Sequence, residues 1–145
     1  MRYLFVTSPD QAAVAAAPRI SDTAFERRAE DVCRRYVQVF DTATTLGQSP
    51  SARDSGDFLE HIASTFDGMV AQLHALPVAP ADRTAVAAWL GQWDAYDTFG
   101  HRYAAAVAAQ SERDLVEQDS AAQGALRRSR NAFATANHMP ACVFA

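Results

Sequence analysis

DFLEHIASTFDGMVAQLHALPVAPADRTAVAAWLGQWDAYDTFGHRYAAAV, residues 57–107, consists of two amphipathic patterns separated by a proline hinge. Before the hinge, Phe58, Leu59, Ile62, Phe66, Met69, Val70, Leu73 and Leu76 recur at steps of three and four, the period of a helix with one buried face. Asp57 and Glu60 match a capping box at its start. Pro77 and Pro80 end this helix and restart the chain, with Pro80 in the first turn, where a missing N–H is tolerated. Beyond them Val86, Trp89, Leu90, Trp93, Tyr96, Gly100, Tyr103 and Val107 repeat the period, predicting a helix over residues 81–110. Gly91 and Gly100 are its expected points of close approach or bending.

The same period extends to both sides. Thr23 and Glu26 form a second capping box, followed by the stripe Phe25, Ala29, Val32, Cys33, Tyr36, Phe40, Ala43 and Leu46 and a stop at Gly47. Gln48 to Gly56, with Pro50, is expected to be a loop. After a polar turn at residues 111–114, Leu115, Ala122, Leu126, Phe133 and Ala136 mark a fourth helix, and the apolar tail 139–144 is expected to pack back on the others. Four helices with short connections predict an all-α, up-down-up-down four-helix bundle over residues 21–145. Residues 1–20 are expected to be a flexible linker, possible as a juxtamembrane segment; residues 3–6 alone are apolar, too few for a signal sequence.

The chain has 145 residues, a formal net charge of −4 and 49% apolar residues, enough for one core and too acidic for general nucleic-acid binding. All thirteen basic side chains are Arg, which excludes any mechanism that needs a Lys.

Chain order and periodicity put Cys33, in the first helix, and Cys142, in the tail, at one pole of the bundle. A disulfide there closes a loop of roughly 110 residues, a constraint of about 4–5 kcal/mol on the unfolded chain. The alternative is two buried free thiols. AEDVC at residues 29–33, LHALPVAPADRTAVAAWL at residues 73–90 and ACVF at residues 141–144 resemble a broad actinobacterial group of small secreted or membrane-anchored helical proteins. The resemblance implies an extracytoplasmic, disulfide-tied bundle and carries over no catalytic residue.

No pattern of catalytic chemistry is present, and the chain is expected not to be an enzyme. Glu-x-x-His pairs, Gly-x-Ser-x-Gly and a glycine-rich phosphate loop are all missing. No metal spacing is seen, so no cofactor is expected. Asp97 and His101 are four apart, with Asp94 nearby; a surface ion pair is the ordinary reading and a metal or acid–base role the alternative. In the aromatic ladder of the third helix, core packing accounts for Trp89, Trp93, Tyr96 and Tyr103; Phe99 lies off the stripe's centre, and Tyr96 and Phe99 are candidates to line a groove for a small apolar ligand or a partner helix.

Charge separates by pole. Arg27, Arg28, Arg34, Arg35, Arg127, Arg128 and Arg130 gather at the pole holding the start of the first helix and the end of the fourth. Asp54, Asp57, Glu60, Glu112 and Asp114 lie at the other. Such a basic pole faces an envelope protein or an anionic lipid surface, unless neighbouring acids neutralise it locally. The expected function is therefore a non-enzymatic, extracytoplasmic bundle binding a protein or lipid partner at the cell envelope. The alternative is a small-ligand or metal-binding bundle.

Overall fold

The computed structural model describes residues 7–46 and 51–144. The expected stop at Gly47, the loop residues Gln48 and Pro50, the apolar residues 3–6 and the side chains of Ala43 and Leu46 lie outside the described residues. Among the described residues the chain forms helices and no strand: α1 (Pro9–Ala16), α2 (Thr23–Leu46), α3 (Ala52–His74), a 3-10 turn at Pro80–Asp82, α4 (Arg83–Ala108), α5 (Glu112–Ala136) and a 3-10 turn at Pro140–Cys142.

The all-α class stands, with five helices where four were expected. The additional one, α1, lies in the stretch read as a linker. Ser8 and Gln11 close a capping box over Pro9, with the Ser8 hydroxyl accepting from the Gln11 amide at 3.1 Å and Gln11 Oε1 accepting from the Ser8 amide at 3.0 Å. The helix rests on α5, and Asp10 pairs with Arg128 at 3.2 Å.

Two other helix starts differ from the expected ones. The cap of α2 is Asp22 rather than Thr23: its carboxylate accepts from the Phe25 amide at 3.0 Å and from the Ala79 amide at 2.8 Å. These amides hold the Asp22 carboxyl below the usual carboxylate range. Asp82 is buried and accepts from the Asp22 amide at 2.9 Å and the Ser21 amide at 3.2 Å, so the two acids lock the start of α2 to the hinge. Helix α3 starts one and a half turns before Asp57, where Ser51 accepts from the Asp54 amide at 3.0 Å.

The core gathers Phe25, Met69, Leu73, Val86, Trp89, Trp93 and Met139, all essentially inaccessible. Cys33 and Cys142 are joined in a disulfide, Cα to Cα 5.1 Å, and both are fully buried. It fixes the tail in a particular place. Helix α2 touches α3 and the last 3-10 turn, and that turn touches α5, so the tail fills the position between α2 and α5. Phe144, partly buried, then packs against the core, meeting the rings of Phe40, Phe66 and Trp93 edge-on. The Asn131 side-chain amide pairs with both backbone groups of Phe144. At the other chain end, the buried Asn137 amide accepts from the Ile20 N–H and donates to the Pro18 and Phe133 carbonyls.

Structural disulfides persist in oxidising compartments, which points to an extracytoplasmic environment. No helix among the described residues is long and apolar enough to cross a membrane.

Candidate functional site

Helices α3 and α4 carry matching stripes. On α3, Leu59, Ile62, Ala63 and Phe66 stand at i, i+3, i+4 and i+7; on α4, Tyr96, Phe99, Gly100 and Tyr103 do the same. Facing each other, they line a half-open cavity of about 210 Å³. The two smallest residues, Ala63 and Gly100, stand opposite: a Cβ built on Gly100 lies 3.7 Å from the Ala63 Cβ. These small residues let the two helices come close, and the larger side chains on either side supply the walls of the cavity. Phe66 meets Tyr96 edge-on at 5.2 Å between ring centres, and Phe99 stacks with Tyr103 at 6.2 Å.

One charged residue lines this cavity, Asp97. Its side chain is 18% exposed, and Oδ1 is buried, 4.0 Å from His101 Nε2. Burial and the neighbouring Asp67 carboxylate push the Asp97 carboxyl up to about 7, against an opposing pull from His101. Around it runs an ionic rim built from both helices. His101 Nδ1 lies 2.7 Å from Glu60, its Nε2 lies 2.7 Å from Asp67, and Asp97 stands 4.0 Å from the same Nε2. The hydrogen bond to Asp67, opposed by partial burial and supported by Glu60, raises the His101 pKa above its ordinary value. Burial works against ionising Asp67, yet the hydrogen bonds to Asp97 and His101 prevail and lower it. One turn away, His74 pairs with Asp94 at 2.7 Å.

Asp67, Asp97 and His101 each offer a donor atom within 4.8 Å of the others, the grouping a divalent ion would use. Both ring nitrogens of His101 are already engaged by carboxylates, so the arrangement is complete as an ion-pair network.

Tyr96 and Phe99, read as groove-lining candidates, do line the cavity, together with Tyr103, which was assigned to the core. The Asp97–His101 pair is present but is the longest contact in its network. The shorter ones, to Glu60 and Asp67, cross from α3 and were missed because no local spacing on α4 reveals them. The trace in the sequence was the seven-residue interval from Glu60 to Asp67, which puts both carboxylates on one side of α3. Of the two expected points of close approach, Gly100 does face Ala63 across the helix pair, whereas Gly91 does not face a neighbour. A Cβ on Gly91 would meet nothing within 4 Å, whereas one on Gly56 would lie 2.5 Å from the Ala108 Cβ, where α3 and α4 nearly touch.

Of the basic patch, Arg27, Arg28, Arg34, Arg35, Arg127 and Arg128 are exposed. Arg34 pairs with Glu30 at 3.1 Å, and Arg35 donates to Gln72 at 3.1 Å. Arg130 does not belong to the patch. It is 1% exposed, because position 130 of α5 turns inward, and its guanidinium lies between the rings of Trp93 and Tyr96, 4.6 and 4.3 Å from their centres. It donates to the Phe144 carbonyl at 3.0 Å. Burial lowers its pKa to about 10, which still leaves it charged at neutral pH.

No family model, no curated protein and no solved structure matches the chain.

Proposed function

We propose that this protein is an extracytoplasmic helical domain that binds a small, largely apolar ligand between α3 and α4. The observation that carries the reading is the cavity of about 210 Å³, apolar on every side except at Asp97. Binding sites of this kind pair apolar walls with very few polar groups that set orientation. A second, larger hollow of about 400 Å³ lies among α1, α4 and α5, but alanines, Gln92 and Arg128 form much of its wall. The cavity between α3 and α4 is the better match to a compact aromatic molecule. A ligand of about ten heavy atoms, at about 0.5 kcal/mol per atom, would bind with a Kd near 0.2 mM. The buried disulfide supports the compartment.

The test is a calorimetric titration with indole, a neutral aromatic of suitable size, alongside the variant Gly100→Leu. Leucine favours the helix, and its side chain grows from the cavity wall at Gly100 into the cavity. One indole per wild-type chain and none in the variant, with circular dichroism unchanged, is the expected result. No indole binding to the wild type, or equal binding by both proteins, contradicts the reading.

The exposed arginines of α2 favour a second role at the same time: holding the domain against an anionic lipid surface or an acidic partner at the envelope. Arg27, Arg28 and Arg35 are the exposed residues that support it. Co-sedimentation with phosphatidylglycerol vesicles at low salt, lost in a triple Arg→Gln variant, is its expected signature. Equal sedimentation of both proteins contradicts it.

A further inference from the structure

The walls of the α3–α4 cavity differ from a generic apolar pocket in two respects. Four of its side chains are aromatic: Phe66, Tyr96, Phe99 and Tyr103. Aromatic faces carry negative electrostatic potential and attract organic cations, most strongly where water is excluded. Its single charged lining residue is an acid, and further acids follow it around the rim: Asp67 and Glu60 from α3, Asp94 from α4. Two effects oppose them. His101 is cationic when protonated and lies within this rim, and Arg130 stacks on the Tyr96 ring at 4.3 Å. His101 is shared between Glu60 and Asp67, and His74 sits against Asp94. Four carboxyl groups therefore face two imidazoles and Arg130, and with Asp97 ionised and the imidazoles neutral the balance of the rim is negative.

Resting on the ligand-binding reading above, we propose that the ligand is an aryl-alkyl amine, with its ring between Phe99, Tyr103 and Phe66 and its ammonium group at Asp97. The ion pair of Asp97 with His101 is long, at 4.0 Å, and Asp97 stands beside the like charge of Asp67; an ammonium group would bring it both closer donors and a compensating charge. An anionic ligand of the same shape would meet repulsion from Asp97 and Asp67. A neutral one would gain only the apolar contact.

The raised pKa of Asp97 gives the selectivity a pH dependence. Asp67, Glu60, Asp94, His101, His74 and the lining tyrosines are the titratable groups around it. At pH 5.5, well below the Asp97 pKa of about 7, the carboxyl is neutral, and His101, whose pKa is raised above 6.5, is protonated. Both changes weaken attraction for a cation. Preference for an amine therefore grows as pH rises.

The experiment compares 2-phenylethylamine with 2-phenylethanol, equal in shape and different in charge, by calorimetry on the whole disulfide-bonded chain at pH 8.5 and pH 5.5. At pH 8.5 the amine should bind at least about tenfold more tightly than the alcohol, and the ratio should fall severalfold at pH 5.5. In Asp97→Asn the amine should lose its advantage over the alcohol, with circular dichroism unchanged to show that the variant has kept its fold. Equal binding of the two probes by the wild type overturns the amine assignment and leaves the cavity as a neutral site. An undiminished amine preference in Asp97→Asn also overturns it. If neither probe binds, and indole does not bind either, the ligand-binding reading falls and takes this inference with it.

Discussion

Asp97 is the residue whose environment departs most from what water would give it. A carboxyl raised from 3.8 to about 7 favours the protonated form in the folded state. Its contribution to stability is fully present below about 3.8 and is lost as pH climbs through 7. His101, also raised, adds stability below 6.5 that is lost as pH rises further. Asp67 runs the other way, since its lowered carboxyl adds stability above 3.8 that is lost only in acid. Between pH 5 and 8 the first two dominate, so the melting temperature should fall as pH rises. Asp97→Asn should flatten that decline and melt higher than the wild type at pH 8, because it removes a carboxylate held beside Asp67. Melting curves by circular dichroism at four pH values decide this; a wild-type melting temperature that climbs from pH 5 to pH 8 contradicts it. At this scale the sequence revealed Asp97 and His101 as neighbours on one helix and left their stronger partners unseen. Arg130 was misplaced for a related reason. Arg is rarely buried, so composition argued for the surface, while only the facing rings of Trp93 and Tyr96 show why position 130 is tolerated inside.

Between elements, the contact of α3 with α4 turns on which glycine lies at the crossing. At Gly56 any side chain would collide with Ala108, whereas Gly91 is exposed and faces open space. Gly56→Ala should therefore destabilise the domain by about 1–3 kcal/mol through overpacking. Gly91→Ala should stabilise it by about 0.5–1 kcal/mol, the usual gain for replacing a mid-helix glycine. Urea denaturation of the two variants measures both, and the same sign for both would show that the crossing is misplaced. Periodicity located α2 to α5 because their apolar stripes are long. It placed two starts late or wrongly because Ser, Thr and Asp are interchangeable as caps, and only the observed amide–carboxylate contacts choose Asp22 over Thr23. Helix α1 went unrecognised although Ser8, Pro9 and Gln11 spell a helix start, since eight residues with no buried side chain carry no periodic signal.

For the whole molecule, the Cys33–Cys142 bond spans 109 positions and pins the tail between α2 and α5. Chain-entropy reasoning gives about 4–5 kcal/mol for such a loop, comparable to the whole stability of many domains. The double variant Cys33→Ala/Cys142→Ala should lose most of that margin in urea denaturation; a loss under about 1 kcal/mol would show that Phe144, Asn131 and Arg130 hold the tail unaided. The sequence pointed to the pairing, with two buried free thiols as the alternative, because the expected helix order puts both cysteines at one pole; the bond itself meets α2 near its middle. The cavity was readable only in part. Tyr96 and Phe99 stood out on α4, but a hollow belongs to two surfaces, and its α3 wall became visible only once Ala63 was seen opposite Gly100. The most direct test of the account is an intermolecular NOE spectrum of the chain with bound indole. Contacts from indole protons to the Phe99 and Tyr103 rings and to the Ile62 and Leu59 methyls are predicted. Contacts confined to Trp89 and Phe133, or none anywhere, would contradict a ligand site between α3 and α4.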